Sequence, residues 1–369
     1  MSTGDLQRPV CRRGVVAREL PSGMVYIRHP KFSSRIINRE SWGFLQMCDG
    51  RSLEELNRQI AERLGFQLTP DQLRTSVDQF AANGLFEGTA EVSRNYRLFD
   101  ASPLTARLAP LVRYLESRAF AALTLAALAA CVVLLVADWG RFTDEVARAA
   151  RAHPILTVLL YYLTFVPIAL LHELGHAVVI RYHGGDVPEV MIRGNAQFAV
   201  LSDSSVLKGR KARVWYLSMG VVVDVYVWLA LLLAFHLSGG RYLLLMFLLP
   251  QTVYFLIYSY SIFKESDYLK AVSAALAQPT PARPWEYLRE GWRKLPESAA
   301  ARKLLYIMTA SLAVKLLLTA FLVWTFAVKE WRVLLLYVVY KVLVYLVGNW
   351  PRLLGRMRTS GPAASGADT

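Results

Sequence analysis

Two histidines and a glutamate fall within one short run, His172-Glu173-Leu174-Gly175-His176. If this run is helical, the histidines are just over one turn apart and both imidazoles project from one face. Neutral imidazole is a good ligand for zinc, and a third protein ligand plus water completes a catalytic tetrahedron. Glu173 is adjacent on that helix and need not bind the metal. It can accept a proton from metal-bound water and later deliver it to a leaving amine. This is the chemistry of the H-E-x-x-H pattern in zinc peptidases.

The setting sharpens the reading. Ile155 to Leu171 carries no charged side chain, and the three polar groups follow at once. Ionisable groups are costly in hydrocarbon, so those found there are functional by default. The rival is a polar cluster at a helix end, paired with other side chains. From His172 to Arg181 is roughly 13 Å of helix, which predicts a site below the cytoplasmic face, reached by a water-filled cavity.

Three other histidines do not fit. His183 lies just past the helix and reads as a solvated interfacial residue, while His153 and His236 belong at the opposite face. A carboxylate therefore supplies the third ligand. Asp267 is the first choice, and Glu265 and the intramembrane Asp224 are the alternatives. Residues 241–277 are too long for one straight crossing, so a break near 259–266 is expected ahead of Asp267; broken helices are tolerated at membrane depth where they line a cavity. The plainer role for Asp267 is the N-cap of a helix over 268–277.

The rest of the chain must position these groups. It has 369 residues, of which 54% are hydrophobic, and its formal net charge is +14. Such apolar content points to a polytopic α-helical membrane protein. Six apolar stretches, at about 118–138, 154–181, 212–236, 241–263, 303–328 and 332–350, approach the roughly 20 residues that span a bilayer. With the amino terminus inside, inner segments carry 6, 8 and 3 Lys+Arg and outer loops 3, 1 and 2. That asymmetry predicts both termini in the cytoplasm. Residues 1–100 hold 14 Lys+Arg against 12 Asp+Glu. The basic excess is thus a membrane feature, and no nucleic-acid partner is expected. Cys11, Cys48 and Cys131 have no C-x-x-C spacing and indicate neither a disulfide framework nor a cysteine metal site. The first twenty residues lack the apolar core of a secretory signal.

Residues 1–100 read as a small α+β domain. Val15–Glu19 and Met24–His29 are strands joined at Pro21-Ser22-Gly23, with a third at Arg35–Asn38. Three helices follow: one over 40–48, one from Ser52 to Leu64 opened by a Ser52/Glu55 capping box, and one opened by Thr69-Pro70 and closed by Asn83-Gly84. Trp42, Phe44 and Leu45 are expected in its core. Residues 101–117 read as a linker, 118–350 as the membrane domain, and 351–369 as a disordered tail.

The His-Glu-Leu-Gly-His-Ala run in a span, the extended segment at about 187–206 and the downstream Asp267 resemble the site-2 protease family of intramembrane zinc metalloproteases. The resemblance covers roughly residues 115–350. It implies His172, His176 and Asp267 as zinc ligands, Glu173 as base, and substrate presented as a strand beside an edge strand. The family often has Asn and Pro before the Asp and Gly after it; here Ser259, Ser261 and Ile262 precede it and Tyr268 follows. Residues 12–87 resemble the PqqD-like fold, the RiPP recognition element, which is winged-helix-like. The carriers are the hairpin, Ile36-Ile37-Asn38, Trp42-Gly43-Phe44-Leu45, Cys48-Asp49-Gly50-Arg51-Ser52 and Asn83-Gly84-Leu85-Phe86. That family binds a leader peptide as an added strand. Together the two resemblances imply a zinc metalloendopeptidase that removes a leader from a ribosomally made, modified peptide. The alternatives are a general intramembrane protease of a regulated membrane protein, and a non-catalytic peptide-binding or export component.

Overall fold

The computed structural model describes residues 6–29, 32–89, 96–192, 198–258, 261–262 and 266–333, with 335, 338 and 342. These divide into two compact units. One draws on Met1–Pro110 and Ile180–Leu207, the other on Leu111–Val179 and Lys208–Thr369.

In the first unit, strands β1 (Val16–Glu19), β2 (Val25–His29) and β3 (Phe32–Ile37) form an antiparallel sheet in the order β1-β2-β3. The β1–β2 turn closes through Gly23, whose φ of +84° a side chain would strain, and its N–H donates to Leu20 O at 2.9 Å. Helices α1 (Arg39–Met47), α2 (Leu53–Leu64) and α3 (Pro70–Ala82) follow. Asn38 caps α1, and both Ser52/Glu55 and Thr69/Gln72 form complete capping boxes. Ile27, Phe44, Leu45, Leu56, Ile60, Leu73, Val77, Leu85 and Phe86 make one buried core, with Trp42 packed against it. Burying each large apolar side chain there contributes about 1.5–3 kcal/mol.

A second antiparallel sheet runs β4 (Tyr96–Phe99), β5 (Glu189–Ile192), β6 (Phe198–Leu201). The extended segment expected after the H-E-x-x-H helix is thus a hairpin, and a strand from the end of the expected amino-terminal domain pairs with it. That pairing is why 180–207 belongs to the same unit as the amino-terminal residues. Three acidic side chains of the segment are buried: Asp186, Glu189 and Asp203. Each finds a partner in the first hairpin. Asp186 accepts from Arg18 at 3.0 Å, and also from Arg181 at 3.0 Å and Ser102 at 2.7 Å. Glu189 accepts from the Tyr26 hydroxyl at 2.6 Å, and Asp203 from Ser22. Burial, then the hydrogen bond to Glu189, push the Tyr26 phenol above its ordinary pKa. The 101–117 stretch is mostly helical, with α4 (Ser102–Leu108) and α5 (Val112–Leu115).

The second unit is built from α5, α6 (Arg118–Ala152), α7 (Pro154–Tyr182), α8 (Arg210–Ser238), α9 (Tyr242–Val253), α10 (Asp267–Ala275), α11 (Pro284–Arg293) and α12 (Ala299–Lys329). Four of these, α6, α7, α8 and α12, are long and apolar enough to cross a membrane. The fourth expected stretch behaves differently. As a 12-residue helix α9 reaches only about 18 Å, short of a bilayer core of about 30 Å. It contains Pro250 and runs into a π turn at Tyr254–Tyr258. The sixth stretch and the tail lie outside the described residues, apart from 332, 333, 335, 338 and 342. The outer loop expected at 139–153 is instead the end of α6, which continues through Ala152.

Helices α6, α8 and α9 share a core around Cys131, Phe142, Val225, Trp228, Phe235 and Leu245. Other apolar side chains face outward: Val136 is 71% exposed, Ile155 83% and Leu317 71%. Soluble monomers rarely expose apolar surface on that scale, whereas helices in lipid do.

Candidate metal centre

Three residues from two helices converge. His172 and His176 lie on α7, one turn apart, and Asp267 opens α10. Nε2 of His172 is 3.2 Å from Nε2 of His176, and Asp267 Oδ2 is 3.6 Å and 3.3 Å from those two nitrogens. Ligand atoms 2.0–2.1 Å from a tetrahedral ion stand about 3.3–3.4 Å apart. The triangle therefore has the edge lengths of one face of such a tetrahedron. It is a group of His and Asp side chains that could hold a metal ion.

The opposite ring nitrogens are occupied. His172 Nδ1 is 2.7 Å from Asp224 Oδ2, and His176 Nδ1 is 2.6 Å from the Tyr216 carbonyl oxygen. An acceptor at each Nδ1 holds the proton there and leaves Nε2 as the free lone pair. Asp224 is 1% exposed, and its other oxygen, Oδ1, has no hydrogen-bond partner among the described residues. Gln251 donates to the Asp224 carbonyl at 2.9 Å.

Both acceptors lie on α8, eight residues apart, with Gly220 midway between them. A Cβ at Gly220 would stand 2.4 Å from His172 Nε2 and 2.5 Å from His176 Nε2. The absent side chain keeps open the space that an ion touching both nitrogens needs. Gly175 does the converse on α7: a Cβ there would meet Val223 Cγ2 at 2.9 Å and Met219 O at 3.1 Å. The two glycines allow the close approach of α7 to α8.

Asp267 reaches the site because the chain breaks before it. The N-cap of α10 is Ser266, whose hydroxyl accepts from Leu269 N at 3.2 Å and donates to Ser261 O at 2.6 Å. The plainer role weighed for Asp267, the cap itself, therefore falls to Ser266: as first residue of the helix, Asp267 keeps its carboxylate for the histidines. The ionised carboxylate is the form that binds a metal ion. The helix N-terminus favours the same charged form.

Access is one-sided. The side chains of His172 and His176 are 9% and 7% exposed, that of Asp267 36%. Glu173 is half-buried and close enough to His172 to interact with it electrostatically. The Tyr254 ring, in the π turn, stands edge-on 6.0 Å from the His172 ring.

Of the alternative third ligands, Asp224 sits on the far nitrogen of His172, and Glu265 lies outside the described residues. His236 is engaged elsewhere, with Asp138 at 2.7 Å. Sequence reasoning missed the roles of Asp224, Gly220 and the Tyr216 carbonyl. A signal existed in Gly220-x-x-x-Asp224, a small residue and an acid four apart inside an apolar span. Comparison with protein-family models, with curated proteins and with solved structures found no match.

Proposed function

We propose that the chain is a membrane-embedded zinc metallopeptidase of the site-2 protease type, with its amino-terminal residues recruiting a peptide substrate. The triangle of His172, His176 and Asp267, with both Nδ1 atoms already engaged, carries this reading. Two imidazoles and one carboxylate suit zinc and leave a fourth position for water, as in other zinc peptidases. Zinc held there supplies Lewis acidity and a water of lowered pKa. Asp224 and the Tyr216 carbonyl orient the two rings and raise their basicity as ligands. Glu173 moves the proton: its carboxylate takes one up as the scissile carbonyl is attacked and gives it to the leaving amine nitrogen. Substrate approaches on the Asp267 side, the exposed one.

In this reading the chain crosses the membrane about six times, the fourth crossing being α9 continued through the π turn at Tyr254–Tyr258, and the Lys/Arg asymmetry puts both termini in the cytoplasm. Residues 12–87 are a PqqD-like, winged-helix-like recognition element that takes a leader peptide by strand addition. An outer strand, β1, with all four residues exposed, favours this. The substrate is then a ribosomally made precursor whose leader is removed.

The test is metal content and turnover of the purified full chain in nanodiscs. One zinc per chain is expected, lost in His172→Ala and in Asp267→Ala. A native chain that takes up no zinc, with all three ligands intact, overturns the proposal.

A further inference from the structure

The segment between α10 and α12 carries α11, and one of its faces has no part in the peptidase reading. Its inner face packs well. Pro284, Leu288 and Gly291 are buried, and Leu288 clusters with Ile262, Leu269, Leu304, Leu305 and Met308. A Cβ at Gly291 would meet Leu305 Cδ1 at 2.8 Å. The Tyr287 hydroxyl donates to Ala301 O at 3.1 Å, and Trp292 Nε1 to Thr309 Oγ1 at 3.0 Å. So α11 is fixed against the opening turns of α12, where the apolar stretch of that helix begins.

Beside this buried face is an exposed aromatic one. Trp285 is 57% exposed, Trp292 53% and Leu295, just past the helix, 51%. At 100° per residue the two tryptophans lie about 20° apart. Arg289 and Arg293 follow at about 40° and 80° round from Trp285, and Glu286 and Glu290 at about 100° and 140°. Around the helix the order is therefore buried apolar, tryptophan, arginine, glutamate. Residues 283–303 hold six Lys+Arg against three Asp+Glu.

That gradation matches the depth profile of a bilayer surface. Indole rings settle at the boundary between headgroups and acyl chains, guanidinium groups at the phosphates, and carboxylates in water. A globular partner has no reason to grade its chemistry in that order. The exposed stripe is also continuous with α12, since the Trp292 ring lies 5.9 Å from that of the 48%-exposed Tyr306.

We infer that α11 is an interfacial anchor, with Trp285 and Trp292 in the headgroup boundary and Arg289 and Arg293 on anionic lipid phosphates. It depends on α12 crossing the membrane and not on the metal centre. Its purpose follows from Leu288. That side chain packs with Ile262 and Leu269, which flank Asp267, so a helix pinned to the bilayer surface fixes the depth of the third metal-site residue.

Nitroxide labels on the full chain in nanodiscs test this, in a Cys11→Ser background. The labels replace Trp285, Arg289, Glu290 and Leu317 one at a time, all exposed positions. Accessibility to oxygen, which concentrates in lipid, is compared with that to a water-soluble nickel chelate, in phosphatidylcholine with and without phosphatidylglycerol. The expected oxygen-to-nickel ratio is highest at Leu317, several-fold higher at Trp285 than at Glu290, and intermediate at Arg289. Phosphatidylglycerol should raise it at Trp285, and Arg289→Glu with Arg293→Glu should abolish that rise. A Trp285 label as open to nickel as the Glu290 label overturns the inference. So does one shielded from both reagents, which means that a second copy or another protein covers the stripe. A rise that persists in the double variant overturns the arginine–phosphate contact. A Leu317 label open to nickel overturns the crossing of α12 itself, an outcome distinct from the others.

Discussion

Asp224 Oδ2 stands 2.7 Å from Nδ1 of His172, on the side of the ring away from His176 and Asp267. The acid read from sequence as a possible ligand instead holds the ring of a candidate ligand, His172. Removing it should leave the three candidate ligands in place and weaken their hold. For Asp224→Ala a 10–100-fold loss of zinc affinity is expected, the usual effect of deleting such a partner. Asp224→Asn should recover part of it, because its amide oxygen can still accept from Nδ1–H. Chelator competition measures both, and equal affinity in the native and Ala proteins rejects the role.

Gly220→Ala should be more damaging than its size suggests. The added methyl lies within 2.5 Å of both Nε2 atoms, and the two rings are held at Nδ1 by Asp224 and the Tyr216 carbonyl. Zinc content should fall to near zero while helicity, read by circular dichroism, stays native.

Glu173→Gln separates binding from chemistry. The amide cannot carry the proton, so turnover should drop by roughly 10²–10⁴ or more. Zinc stoichiometry should be unchanged, since Glu173 is not among the three converging residues. Near-native cleavage by this variant removes it from the mechanism.

Asp186→Ala probes the first unit. Its carboxylate is 10% exposed and serves Arg18, Arg181 and Ser102. Because Arg18 and Arg181 remain 44% and 32% exposed and can return to water, the cost should be modest, about 1–3 kcal/mol. A lower urea midpoint for proteolysis of this unit, with zinc retained, is the expected result.

Topology is open to labelling from either side of the membrane. The exposed positions Arg241 and Glu290 suit cysteine substitution, and Leu288, buried on α11, does not. A cysteine at 241 should react from outside and one at 290 only after permeabilisation; the reverse pattern inverts the chain and the side from which substrate enters.

The sequence was most legible where local rules decide structure. Ser52 with Glu55, Thr69-Pro70 and Asn83-Gly84 set helix ends to within a residue or so, because caps act over one turn. His172 and His176 were legible for the same reason. What escaped is what needs a third dimension. Nothing local says that Asp224 meets His172 across 52 positions, or that a methyl at 220 would strike both imidazoles. Nor could periodicity show that β4 pairs with β5, since strand partners far apart leave no mark on spacing.

That last pairing joins residues separated by two membrane-length helices. On a ribosome adding roughly 5–20 residues per second, about 5–20 s pass between the emergence of Phe99 and that of Glu189. Throughout that interval β4, with Tyr96, Leu98 and Phe99 exposed even in the finished fold, has no strand to join. Arg18, Tyr26 and Ser22 likewise wait for acids not yet made. Completion of the amino-terminal unit therefore waits until α6, α7 and the hairpin after them have been made, so about half of the chain must be synthesised before the part that was made first can be finished.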